Sequence, residues 1–164
     1  YGRLKGKLLG VVQGCHDEWS HDQDDFDWSS YLAKYLGCPN MGFGGFLDLT
    51  VGQVLYRFGI RHKYRYNSSF NMTHVVKRMR EQFGDFDVGV VSHHHQASYE
   101  HLAMPDKDRV FIRPRSFKGV DRYARQMGYR DTGHQVPCVV LDPAVRKITP
   151  FINLADAVRF LDTY

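Results

Sequence analysis

Nine histidines occur in this 164-residue chain, and three of them, His93, His94 and His95, are consecutive. The run follows the apolar stretch Val88 to Val91 and Ser92. Two other apolar runs end in the same way. Leu8 to Gln13 leads into Gly14-Cys15-His16-Asp17, and Leu55 to Arg61 leads into His62. Imidazole nitrogen and thiolate sulfur suit zinc, iron and similar borderline cations. In an extended segment, residues two apart point the same way. His93 and His95 are therefore expected to face a common metal cluster, with His94 turned elsewhere. Two such cations about 3.5–4 Å apart clamp a phosphoryl oxygen and activate water near neutral pH. A histidine beside the leaving oxygen donates a proton, and a neighbouring carboxylate orients the ring and raises its pKa. His16 and Asp17 supply that pair.

These residues need elements to hold them. Leu8 to Gln13 reads as a buried strand bounded by glycines, followed by a polar acidic loop from His16 to Asp27. Trp28, Tyr31, Leu32, Tyr35 and Leu36 share one face of a predicted helix that Gly37 and Pro39 stop. Phe43 to Thr50 and Gln53 to Arg61 read as strands joined by a tight turn at Val51-Gly52. Met72, Val75, Val76, Met79 and Phe83 have helical spacing, which predicts a helix from Asn71 to Phe83. Strands are predicted over Phe86 to Val91 and Arg109 to Arg113, and a short helix over Val120 to Met127. Val136 to Leu141 and Val145 to Pro150 predict a hairpin turning at Asp142-Pro143, and Asn153 caps a last helix, Leu154 to Leu161. Strands mixed with helices and hairpins predict a layered α/β architecture in a single domain over residues 1–164. In an open α/β sheet, ligands bind at the carboxyl ends of the strands. Three strands ending in metal-capable residues are thus expected to meet at one site.

Composition agrees. Hydrophobic residues make up 43% and charged residues 24% of the chain, as in ordinary globular proteins. No apolar run approaches the ~20 residues of a membrane span, so no membrane partner is expected. The formal charge of +4 suits an anionic substrate such as a phosphate ester or nucleic acid. Cys15, Cys38 and Cys138 are odd in number and widely spaced, which favours a reducing compartment and a cytoplasmic location.

Other residues compete for roles. His74 lies off the apolar stripe of its helix and is a candidate substrate contact. Arg113 and Arg115 are candidate phosphate ligands, or else paired surface charges. Lys63-Tyr64-Arg65-Tyr66-Asn67-Ser68-Ser69-Phe70 interleaves cations with aromatics, a mixture that stacks bases and neutralises phosphates; Arg65 is the substrate-binding candidate there. Glu18 and Trp19 are placed at the rim of the site. Asp22, Asp24, Asp25 and Asp27 lack the glycine and glutamate of a calcium loop and read as solvated. His101 and His134 are expected in loops without a role. Plainer readings also stand: Cys15 as a small buried residue, His62 as part of an exposed basic turn, and His93 to His95 as a polar loop.

Gly14-Cys15-His16-Asp17 resembles the Gly-Asn-His-Asp/Glu motif of calcineurin-like metallophosphoesterases. Ser92-His93-His94-His95 resembles their Gly-His-Thr-His motif. His62 resembles the single metal histidine between those motifs, and Ile112-Arg113-Pro114-Arg115-Ser116 is similar to the Asn-Pro-Gly-Ser strand that follows them. The resemblance spans Leu8 to Leu141. It implies a β-sandwich flanked by helices and a site holding two divalent ions of manganese, iron or zinc. His62 and His93 would bind the second ion and His95 the first. His16 would be the general acid or a contact to the substrate phosphate, with Asp17 as its orienter. Cys15 stands where the family has an asparagine ligand, and a thiolate there changes affinity and metal choice. The family's Asp-x-His and Gly-Asp motifs should precede Gly14, yet the 13 residues before it contain neither Asp nor His. An upstream segment or a partner chain is expected to supply them, so the fold is expected to lack its amino-terminal part.

The leading expectation is hydrolysis of phosphate mono- or diesters at a dinuclear centre. The rivals are a non-catalytic phosphoesterase-like scaffold subunit and a nucleic-acid-binding structural protein that uses the basic aromatic loop.

Overall fold

The computed structural model describes residues 2–17, 25–115, 122–126, 128 and 135–163. Glu18, Trp19, Asp22, Asp24, Ser116 and His134 lie outside the described residues. The chain is mixed α/β. Its main sheet has five strands, β1 (Gly44–Val51), β2 (Val54–Arg61), β3 (Val88–Val91), β4 (Ser98–Ala103) and β5 (Asp108–Arg113), in the order β1-β2-β3-β5-β4. The central strands β2, β3 and β5 are parallel, and β1 and β4 are antiparallel edges. A separate antiparallel hairpin is made by β6 (Cys138–Leu141) and β7 (Ile148–Phe151). Helices are α1 (Trp28–Leu36), α2 (His74–Phe83), α3 (Arg122–Gln126) and α4 (Leu154–Leu161). No helix among the described residues is long and apolar enough to cross a membrane.

The central sheet is covered on both faces, and strand alternation shows how. Val54, Tyr56, Val88, Val110 and Ile112 point to one face and pack with Ile148, Val139 and Leu141 of the hairpin. Their neighbours Val91 and Phe111 point to the other face and pack with Val75, Val76 and Met79 of α2 and with Phe86. The α2 side demands glycine at two strand positions. A methyl group at Gly89 would lie 2.3 Å from Val76, and one at Gly59 would lie 2.5 Å from Phe86, so helix and ring sit against bare backbone. On the other face the Tyr56 hydroxyl, on a fully buried side chain, donates to the Asp142 carbonyl at 2.8 Å and fixes the hairpin turn. Asp142 itself accepts from the Ala144 and Val145 amides, which makes the turn expected at Asp142-Pro143.

Most sequence-predicted elements are present with ends moved by a few residues. Three expectations need correction. Leu8 to Gln13 is not a strand of the sheet: it is an extended strap whose one bridge pairs Val11 with Asn40, and Leu9 is exposed. Its apolar residues resemble a strand because half-buried backbone pairing to 39–42 needs the same residue types as a ladder. In α1 the predicted face is split: Leu36 is buried and Leu32 half-buried, but Trp28, Tyr31 and Tyr35 are exposed, and Ser29 and Ala33 are buried in their place. The Asn40 amide, which donates to both Ser29 and Ser30, turns the serine side of the helix toward the strap. Finally, β4 was not foreseen, and it carries His101, expected in a loop. Burial alternates along this edge strand, with Ser98, Glu100 and Leu102 half-buried and Tyr99, His101 and Ala103 exposed, and His101 sits 3.5 Å from Asp108 of β5.

Candidate metal site at the carboxyl ends of two parallel strands

Strand register creates the site. Arg61 of β2 lies opposite Val91 of β3, and the ladder continues as the Ser92 amide donates to the Arg61 carbonyl at 3.2 Å. His62 and His93 therefore leave adjacent parallel strands at the same level. Their rings meet edge to face, with His93 Nδ1 3.3 Å from His62 Nε2. The third member arrives on the strap. Val11 donates to Pro39, Met41 donates to Val11 and Gln13 donates to Gly42, which carries the chain over the β1 side to Cys15. Cys15 Sγ is 3.5 Å from His62 Nε2 and 3.6 Å from His93 Nδ1. The three ligand atoms all lie within 4.8 Å of one another, a spacing able to hold a metal ion.

Local sequence explains how Cys15 is fixed. Residues 15–17 form a helical turn. The Asp17 carboxylate reaches back to accept from the Gly14 amide at 2.7 Å, the return half of a capping box. A methyl group at Gly14 would lie 3.1 Å from Asp17 Oδ2, 3.4 Å from His62 Cε1 and 3.6 Å from His62 Nδ1. Gly14 thus leaves the space in which the Asp17 carboxylate and the far edge of the His62 ring sit together.

The electrostatics favour neutral imidazoles. Burial pushes the His62 pKa below its ordinary value, against the pull of Asp17, with His16, His95 and Lys63 pushing it down further. Burial also lowers that of His93, helped by His62 and Lys63. His94 is driven down to about 4 by burial and by the Arg113 guanidinium. Uncharged imidazole is the ligating form. Lys63 and Arg113 place positive charge around these rings, a condition that draws an anion.

The sequence-predicted residues divide into three groups. Cys15, His62 and His93 come together. His95 is exposed and stands outside the trio, although its charge acts on both histidines. The extended-segment argument that paired it with His93 fails because His93 has φ 77° and His95 has φ 55°. The tract is coiled through the left-handed region, so alternation does not apply. His16 is exposed and close enough to influence His62 and His93, and Asp17 serves the Gly14 amide and His62 rather than His16 alone. His74 begins α2 and is not in the trio. Arg65 donates to Gln82 of α2 and lies over the Tyr66 ring, so it is committed away from the trio. Arg115 is half-buried just past β5.

Two residues named in the sequence sit near the trio in settings their types did not reveal. Arg113 is not a surface charge: it is 2% exposed, donates to the Met72 carbonyl and has no carboxylate within ion-pair distance among the described residues. Its place as the last residue of an apolar strand was the available signal. His94 lies outside the trio, as expected, and is half-buried with its ring against His93 at 5.1 Å. Compared with known proteins, the chain matches no family model, no curated protein and no solved structure.

Proposed function

We propose that this chain is part of a metal-dependent phosphoesterase of the calcineurin-like kind, hydrolysing phosphate mono- or diesters at a dinuclear centre. The observation that carries the reading is the convergence of Cys15, His62 and His93, far apart in sequence, at the carboxyl ends of neighbouring parallel strands. Cys15, His62 and His93 would hold one ion. His95, beside them, would turn toward the other, whose remaining ligands would come from an upstream segment or a partner chain. When bound, such ions polarise the phosphoryl oxygen and activate water. The chain's own residues do the rest. His16, exposed at the edge of the trio, delivers a proton to the leaving oxygen. Lys63 and Arg113 supply positive potential for the substrate anion, and Arg115 and His74 are reserved for its outer parts.

The test uses the complete protein with any upstream segment. Bound metal is counted, and cleavage of an aryl phosphodiester is followed with zinc, iron(II), cobalt and manganese in turn. His93→Ala is expected to remove both the bound ion and the cleavage. A protein that holds no stoichiometric transition ion and cleaves nothing with any of the four overturns the proposal and favours the scaffold reading.

One observation favours a second reading, nucleic-acid binding. The Arg65 and Arg78 guanidiniums lie 4.9 Å and 5.1 Å from the centre of the exposed Tyr66 ring. Such an array of cations on an aromatic suits a nucleotide chain. Affinity for single-stranded DNA that falls steeply with salt and ignores chelator supports that reading.

A further inference from the structure

We infer that Cys15, His62 and His93 form a three-ligand tetrahedral site for a zinc-like cation, and that the sulfur excludes magnesium and manganese from this position. The inference rests on the metal reading above and deepens it by naming the ion class.

The first support is the shape of the ligand triangle. Tetrahedral zinc bonds, about 2.0–2.1 Å to nitrogen and about 2.3 Å to sulfur, place two nitrogens about 3.3 Å apart and sulfur about 3.6 Å from each. The triangle in this chain measures 3.3 Å between nitrogens and 3.5 and 3.6 Å from sulfur to nitrogen. Octahedral magnesium, with bonds of about 2.0–2.1 Å, needs adjacent ligands about 2.9 Å apart, shorter than every side of the triangle. The second support is ligand chemistry. One thiolate with two imidazoles is a soft to borderline set, and magnesium and manganese prefer carboxylate, carbonyl and water oxygen. Among the described residues the trio has no oxygen ligand, and the neighbouring Asp17 carboxylate is held by the Gly14 amide. Among the described residues three side chains supply ligands, and three protein ligands with a fourth position left to water or substrate is the arrangement of a catalytic rather than a structural zinc site.

Binding is balanced by one proton. The Cys15 thiol gives up its hydrogen to the buffer as the sulfur–metal bond forms, and neither histidine changes charge. No electron is transferred.

Cobalt(II) titration of the full chain under reducing conditions reads the site directly. The expected result is an intense sulfur-to-cobalt charge-transfer band in the near ultraviolet, with strong visible bands of tetrahedral cobalt. Zinc should displace both at one equivalent, and manganese should displace neither in large excess. Cys15→Asn should lose the charge-transfer band completely while keeping the wild-type far-ultraviolet circular dichroism. In case that variant misfolds, a wild-type measurement stands beside it: zinc should protect Cys15, but not Cys38 or Cys138, from alkylation mapped by mass spectrometry. A weak octahedral spectrum without the sulfur band, displacement by manganese, or no selective protection of Cys15 overturns the inference. The phosphoesterase proposal fails separately. Cleavage without the sulfur band sinks only the ion assignment, and the sulfur band without cleavage by any ion sinks only the enzyme.

Discussion

The two ends of the central sheet are built on opposite principles. At the amino ends of β3 and β5, every charge is answered. Asp87, 1% exposed, accepts from the Arg57 amide at 2.7 Å and from Arg146 at 2.9 Å, with Lys107 3.2 Å away. Arg109 donates to both Asp85 and Asp106. At the carboxyl ends, imidazoles crowd a thiol, a buried guanidinium has no carboxylate within ion-pair distance among the described residues, and two of three consecutive histidines hold left-handed backbone. Neutralised buried charge keeps the fold together. Uncompensated positive potential and strained backbone are costs that folding alone does not explain, and they mark where a ligand is expected. On the proposed function, stability belongs to one end and binding to the other, and substitutions at each end can break that division.

The largest effects come from a crossed pair. His93→Ala should abolish metal binding with little change in melting temperature, since a half-buried ring is lost from the sheet end. Asp87→Ala should do the reverse. It leaves the Arg57 amide unmet and Arg146 without its carboxylate, though Lys107 keeps Asp85, for about 2–3 kcal/mol lost in denaturant melts, while the folded fraction binds zinc as before. If Asp87→Ala weakens zinc binding of the folded protein, the division of labour is wrong. Next, Asp17→Asn should weaken zinc affinity about tenfold, because the Asp17 charge acts on His62 and its carboxylate fixes the Gly14 turn that carries Cys15. His16→Asn should leave affinity unchanged and lower cleavage only. An Asp17→Asn protein with native affinity would return the carboxylate to a purely capping role.

Acid separates the ends more gently. Burial tends to raise the Asp85 pKa, but Arg109 and Lys107 outweigh it and hold it at about 2, below the ordinary 3.8. A lowered carboxylate pKa gives stability that is present above pH 3.8 and lost as pH falls through about 2. Asp85→Asn should flatten the melting curve over that window. The group is half-exposed, so solvent screening keeps the effect small. Smallest of all, His95→Gly should stabilise the metal-free protein by about 1 kcal/mol by relieving its left-handed backbone, with thermal melts as the measure. A destabilised glycine variant would mean that the ring makes contacts worth more than the strain.

The sequence made much of this readable where chemistry and periodicity coincide. Val88 to Val91 and Leu55 to Arg61 read as strands from their apolar residues, and the residues after them carry the site. The α2 stripe was legible because Val75, Val76 and Met79 bury the face that their spacing marks. Where signals rest on one feature alone, the reading slipped. The α1 aromatics have helical spacing, but spacing cannot say which side finds a partner, and Asn40 chose the serines. His95 was misplaced because two-residue alternation presumes extended backbone, and φ at a histidine is not written in its type. The edge strand β4 was hidden because its half-buried side carries Ser98 and Glu100 beside Leu102, so no apolar alternation marks it.

The strap that delivers Cys15 has a consequence for how the molecule comes to life. His62 and His93 ride on a parallel ladder knitted into the core, while the thiol hangs from three backbone bonds, at Val11, Gln13 and Met41. Tension or brief local opening will peel the strap well before it unzips the ladder. A folding chain therefore owns two jaws of its clamp first and gains the third last, and an ion captured early by the pair would act as the latch that draws the strap home.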